Sequence, residues 1–187
     1  MANVKLNPII QNVRGHIGDL IFRRSNGAVI IGRMPETRGI FTDAQKAVQE
    51  RFRQATIYGK MVMADEHARA LYQEVAKKKG KPVFSLMIGD FFKAPSVDEI
   101  DLSSYDGQVG SKIRIRASDD FDVIGVTVVI SDSTGALIEQ GVAEKSAVDS
   151  GAWSYTASTS IAAGTAIRVD ATATDRPGNK TTKTENK

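Results

Sequence analysis

Apolar residues change period twice along this chain, and the changes mark out three stretches. In the first, they fall in two short runs, Gly18 to Arg24 (GDLIFRR) and Ala28 to Arg33 (AVIIGR), separated by Ser25-Asn26-Gly27. Both runs are β-prone, and Asn-Gly suits the positive φ angles of a tight hairpin turn. Alternation places Leu20 and Phe22 on one face and Ile21 and Arg23 on the other. A hairpin alone is marginal and must pack on something. Ile9, Ile10 and Val13 upstream are placed to add a third strand, from the same subunit or a neighbour.

Met34 to Phe41 (MPETRGIF) contains Pro and Gly and reads as a connector. The period then becomes helical. Thr42 and Gln45 have the spacing at which two side chains satisfy each other's backbone donors at a helix start. Val48, Phe52, Ala55 and Tyr58, and then Ala64, Ala68, Leu71 and Val75, form the stripe of a helix with one buried face. Gly59 and the stretch from Met61 to Asp65 are expected to break it into two helices, the second starting near Ala64 or Asp65. Lys77, Lys78 and Lys79 suit the C-terminal dipole, and Gly80 is a natural stop. Pro82 opens a further helix, whose Val83, Phe84, Leu86, Met87, Ile88, Phe91 and Phe92 make it apolar on most sides as far as Pro95. That segment is expected to wedge between the hairpin and the long helical stretch, as core packing rather than a cofactor pocket. If the long stretch instead runs straight across Gly59, part of its stripe lacks cover within the subunit, and a neighbouring subunit is the obvious cover.

From Val97 onward the period is two. Asp98 to Tyr105, Ile113 to Ala117, Val123 to Ser131, Ala136 to Glu139, Trp153 to Ala157, Ile167 to Ala173 and Thr181 to Glu185 are short β-rich runs between Asp, Gly, Ser and Pro clusters. Seven such runs are the pattern of a β-sandwich. The expected fold is therefore α+β, with a hairpin and helical core over 1–95 and a sandwich over 96–187. Two domains of this size can each bury a core.

Composition adds exclusions. The chain is 41% hydrophobic and 25% charged, as in ordinary globular proteins, and it has no cysteine. Disulfides, thiolate metal sites and cysteine nucleophiles are thereby ruled out. Val126 to Ile130 and the other apolar runs are strand-sized, too short to span a membrane. The first residues, MANVKLNPIIQNVRG, do not read as a Sec signal, which leaves an extracellular or virion-associated setting to another export route.

Charge is uneven. Residues 1–94 hold 16 Lys and Arg against 8 Asp and Glu, a net +8; the remainder holds 9 against 14, a net −5. Solvated helix faces, contact between the two halves within or between subunits, and an anionic partner such as nucleic acid all fit this division. Arg14, Arg23, Arg24 and Arg33 are the candidate basic surface, although the aromatic interleaving that stacks on bases is missing.

Little in the chain signals chemistry. His67 follows Asp65 and Glu66 but has no second helical histidine, so it reads as a surface residue; His16, close to Gly15 and Gly18, reads as a turn residue. There is no Gly-x-Ser-x-Gly elbow and no phosphate loop. Asp119, Asp120 and Asp122 on one inter-strand loop, with Asp170 and Asp175 near another, would supply oxygens to calcium if the loops converge; acidic loops also simply aid solubility. Trp153 and Tyr155 would make a carbohydrate-binding platform if exposed together, and core if not.

Two resemblances follow from these residues. AIRVDATATDRPGN, with ASDDFDVIGVTVVISDSTGALIE before it, resembles bacterial immunoglobulin-like domains over roughly residues 97–185. Such domains act as spacers, adhesin modules and phage or cell-surface decorations. The first half, with VRGHIGDLIFRR, TDAQKAVQERFRQA and KPVFSLMIGDFF, resembles a bacterial family built as a hairpin, helices and a small β domain, whose function is not established. Ala44, Gln45, Arg51 and Phe52 carry its most recognisable pattern. Together the sequence implies a non-enzymatic structural protein without a cofactor, self-associating into a homo-oligomer or filament. Ile9, Ile10, Leu20, Phe22, Val29 and Ile31 are its candidate contact residues. An adhesin-like or phage-accessory binding module, and nucleic-acid binding by the basic half, are the alternatives.

Overall fold

The structure is a computed structural model that describes residues 14–25, 28–34, 41–149, 151–162 and 164–187. The described residues are mostly β, with three helices, and the chain forms two compact units, Met1–Val48 and Gln49–Lys187.

The first unit holds an antiparallel sheet of order β1-β2-β3, from β1 (Gly15–Ile17), β2 (Leu20–Ser25) and β3 (Ala28–Arg33). The expected hairpin is β2–β3, in register from Leu20↔Arg33 to Ser25↔Ala28; its Asn26-Gly27 turn lies outside the described residues, as do Ile9, Ile10 and Val13. Among the described residues Gly15-His16-Ile17 flanks β2 as a third strand. His16 is therefore not in a turn; it pairs with Ile21. Gly18, at φ 55°, takes the left-handed conformation that lets the chain reverse immediately after Ile17.

Helix α1 (Asp43–Ala64) starts where the sequence indicates. Thr42 N–H donates to Gln45 Oε1 at 3.0 Å, and Gln45 N–H donates back to Thr42 Oγ1 at 3.3 Å. It runs unbroken through Gly59, contrary to a break there, because that glycine serves packing: a Cβ on it would lie 2.8 Å from Phe84 Cε2. The break falls at Asp65, whose carboxylate accepts Ala68 N–H at 3.1 Å and caps α2 (Glu66–Lys79). Gly80, at φ 62°, closes α2 with a left-handed C-cap.

Helix α3 (Val83–Phe92) buries Leu86, Met87 and Asp90. These join Val62 of α1 and Tyr72 and Ala76 of α2 in a small core. Apolar composition suggested burial on most sides of α3, yet Phe84 and Phe92 keep 39% and 37% of their surface exposed. Within its own unit α3 packs on α1 and α2, and Phe121, farther along the chain, joins the same cluster. The stripe on α1 is covered only in part: Ala55 and Val62 are buried, whereas Val48 and Phe52 are exposed, Phe52 by 55%.

The remaining strands are β4 (Ser96–Asp101), β5 (Lys112–Ser118), β6 (Val123–Asp132), β7 (Leu137–Lys145), β8 (Ala152–Thr156), β9 (Ile167–Asp175) and β10 (Lys180–Asn186). They form one nearly closed sheet of order β10-β9-β6-β7-β8-β5-β4, with every hydrogen-bonded pair antiparallel. Period-two alternation directs Ile113, Ile115, Val126, Val128, Ile130, Val169, Ala171 and Trp153 inward to one core. The edge strands β4 and β10 approach across a seam that lysines bridge. Lys183 Nζ donates to Asp98 O, and Lys187 Nζ to Leu102 O. Because both strands run the same way along this seam, the chain enters the strand region at the helix end and leaves β10 at the opposite end.

Candidate functional site

The register of the three-stranded sheet settles its faces, since directly paired residues share a side. Phe22 pairs with Ile31, Leu20 with both Ile17 and Arg33, and Arg24 with Val29. Leu20, Phe22, Val29 and Ile31 therefore lie on one face, and Ile17 extends the group. Exposure of Ile17 is 67%, of Leu20 46% and of Ile31 45%; Phe22 and Val29 are half-buried. The other two candidate contact residues, Ile9 and Ile10, lie outside the described residues. Sequence reading did not include Ile17, because the strand that carries it is short and hidden among glycines.

The four arginines do not make one surface. Arg24 and Arg33 share the apolar face, Arg23 lies on the opposite face beside Ile30, and Arg14 precedes β1. On α2, His67 is exposed.

The five candidate calcium ligands are each engaged otherwise. Asp119 Oδ2 accepts the N–H groups of Phe121 and Asp122. Asp120 pairs with Lys93, and its carbonyl accepts from Lys79. Asp122 meets Lys145 at 2.9 Å and Arg176 at 3.7 Å. Asp175, fully buried, accepts Gly178 N–H, Asn179 N–H and the Asn179 amide. Asp170 lies farther along β9, bound by Arg168 and Thr184. Among the described residues no group of three or more His, Asp or Glu side chains is placed to hold a metal ion. Loop convergence brings Asp119, Asp122 and Asp175 to one end of the strands, where cations pair with Asp122 and backbone donors reach Asp175 and Asp119 Oδ2, while Asp119 Oδ1 is buried without a hydrogen bond.

That end is where the helices meet the strands, and a polar chain is buried there. Tyr58 and Tyr72 hydroxyls are 2.7 Å apart, and Tyr72 donates to Asp90 Oδ2. Tyr72 also stacks on Phe121, with ring centroids 3.9 Å apart and planes at 11°; Arg176 lies over the other aromatic at 5.8 Å from the Phe121 centroid. Asn179 completes the joint by donating to the carbonyls of Phe91 and Lys93 at the end of α3. Burial pushes the Asp90 carboxyl up, Tyr72 donation pulls it back, and Asp119 and Asp175 push it up again, to about 6. Burial likewise raises Asp175 despite the donors around it. Sequence patterning put Leu71 rather than Tyr72 on the buried stripe and gave Asp90 no role; an acid inside an apolar helix was the available signal.

Trp153 and Tyr155 are both buried, so they form no exposed stacking platform. Tyr155 OH instead donates to Glu139, which also accepts from Ser158 N–H and Oγ and from Thr159 N–H. Although burial pushes the Glu139 carboxyl up, these donors outweigh it and hold the group below the usual carboxylate range. No helix among the described residues is long and apolar enough to cross a membrane.

The chain matches no family model and no curated protein. Among solved structures, CopC from Methylosinus trichosporium OB3b overlaps 49% of this chain and 89% of its own, at 18% identity and a TM-score of 0.37. A tetra-tandem repeat in the extending region of a large adhesion protein overlaps 51% of this chain and 23% of its own, at 24% identity and a TM-score of 0.33. An engineered protein overlaps 50% and 19%, at 20% identity and a TM-score of 0.37. Overlaps this loose assign neither a fold family nor a function.

Proposed function

We propose that this chain is a non-enzymatic structural protein that self-associates into a homo-oligomer or filament through the apolar face of its three-stranded sheet. In this reading the seven strands form an immunoglobulin-like sandwich that acts as a spacer or projecting module. The observation that carries it is the register that aligns Ile17, Leu20, Phe22, Val29 and Ile31 on one face while leaving Ile17, Leu20 and Ile31 in water. Covering such a face gains about 25 cal/mol for each Å² of apolar surface removed from water. Exposed Val48 and Phe52 on α1, which runs straight across Gly59, favour the same reading.

Size-exclusion chromatography with light scattering tests the proposal. Wild type is expected to show a multimeric mass, and the double variant Leu20→Glu, Ile31→Glu a monomeric one with an unchanged circular dichroism spectrum. Wild type that stays monomeric at high concentration overturns the reading.

A further inference from the structure

Asp90 has one oxygen in use and one without a partner. It is 3% exposed; Oδ2 accepts the Tyr72 hydroxyl, and Oδ1 is buried with no hydrogen bond. The charged and titratable groups around it come from every element packed there. They are Tyr72 on α2, Tyr58 on α1, Asp119 in the β5–β6 loop, and Asp175 and Arg176 at the end of β9. Arg176 is the cation of that set, and it already leans on Asp122 and on the Phe121 ring. Lys79 and Lys93 nearby are bound to Asp120. An ionised Asp90 therefore places a third carboxylate beside Asp119 and Asp175, with a single neutral donor to stabilise it.

We propose that Asp90 makes the joint between helices and strands an acid-tightened latch. One proton taken up by its carboxyl locks α2 and α3 onto the β5–β6 loop and the β9–β10 turn, and loss of that proton loosens them. The proton comes from solvent and settles on Oδ1, the oxygen with no other use, while Tyr72 continues to donate to Oδ2. Protonation removes the desolvation cost of the charge and its repulsion from Asp119 and Asp175 together. The sign follows from the carboxyl standing at about 6 in the folded chain against 3.8 ordinarily. A raised carboxyl stabilises the fold fully at low pH, and the contribution is lost as pH rises through 6. Linkage between those two values makes the folding equilibrium constant about tenfold smaller at pH 7 than at pH 5. Asp175 is displaced in the same direction. The carboxylates held low, Glu50, Asp98, Asp101, Asp132 and Glu139, act below this window.

Chemical denaturation of the whole chain at pH 5 and pH 7, for wild type and Asp90→Asn, reads the latch. Asparagine keeps the shape and an oxygen for Tyr72 but cannot ionise. Wild type should weaken about tenfold between the two pH values. Asp90→Asn should lose that change and exceed wild type at pH 7, and groups common to both proteins cancel in the comparison. Carbon-13 carboxyl shifts follow Asp90 directly in wild type, so the test survives a variant that fails to fold. Their expected midpoint is near 6, and Tyr72→Phe should move it upward by removing the donor that holds it down. A midpoint in the ordinary carboxylate range, or the same pH dependence in Asp90→Asn as in wild type, overturns the proposal.

Discussion

Glu139, Gly141 and Tyr155 show how much one position can hold. A Cβ on Gly141 would lie 2.7 Å from Tyr155 Cε2 and 3.1 Å from its hydroxyl, and Tyr155 is fixed by its bond to Glu139. Gly141→Ala is therefore expected to destabilise by about 1–3 kcal/mol through overpacking, read as a lower denaturation midpoint. Glu139→Gln should also destabilise at neutral pH, because four donations converge on this carboxylate. Its carboxyl is held low in the folded chain, so its contribution is present above the ordinary value of 4.5 and fades as pH falls through the folded one. The gap between wild type and Glu139→Gln should accordingly narrow in acid. Neither role was legible in the sequence, because Glu139 reads as a polar strand residue and the donors that bury it lie some twenty residues on. Local pairs were legible: Thr42 with Gln45 is a capping box on sight, since both partners lie within one helical turn.

The elements were read well where a period governs them. Strict alternation made β5 and β9 plain, as Ile113-Arg114-Ile115-Arg116 and Ile167-Arg168-Val169-Asp170 show. The expected run from Ala136 to Glu139 caught only the start of β7, which continues to Lys145. Gln140, Gly141, Glu144 and Lys145 hide the continuation, because pairing to β6 and β8 overrides their weak β preference. On α2 the inward face includes Tyr72, since its hydroxyl has both Tyr58 and Asp90 to meet. What joins helices to strands was invisible, being a matter of single polar atoms far apart in the chain. Asn179 is the clearest, donating across 86 and 88 residues to the last carbonyls of α3. Asn179→Ala should cost about 1–3 kcal/mol by leaving those carbonyls and Asp175 short of partners. Circular dichroism should show the strands retained and the melting temperature lowered.

For the molecule as a whole, the opposite charges of the two stretches gain a partial physical account. Lys93, from the basic stretch, pairs with the Asp120 carboxylate of the acidic one, while Lys79 donates to the Asp120 backbone carbonyl. These contacts are exposed and individually weak. The apolar content is arranged differently in the two: the seven-stranded body gathers a large core and leaves Ile124, Leu137 and Val142 exposed, whereas the three-stranded sheet leaves Ile17, Leu20 and Ile31 of one face exposed together. Sedimentation velocity of the 187-residue chain over a wide concentration series reads whether that exposed face drives assembly. Self-association through the sheet predicts a sedimentation coefficient that rises with concentration in wild type and stays at the monomer value in Leu20→Glu, Ile31→Glu. A wild type fixed at the monomer value throughout, or a double variant that assembles as wild type does, would contradict it.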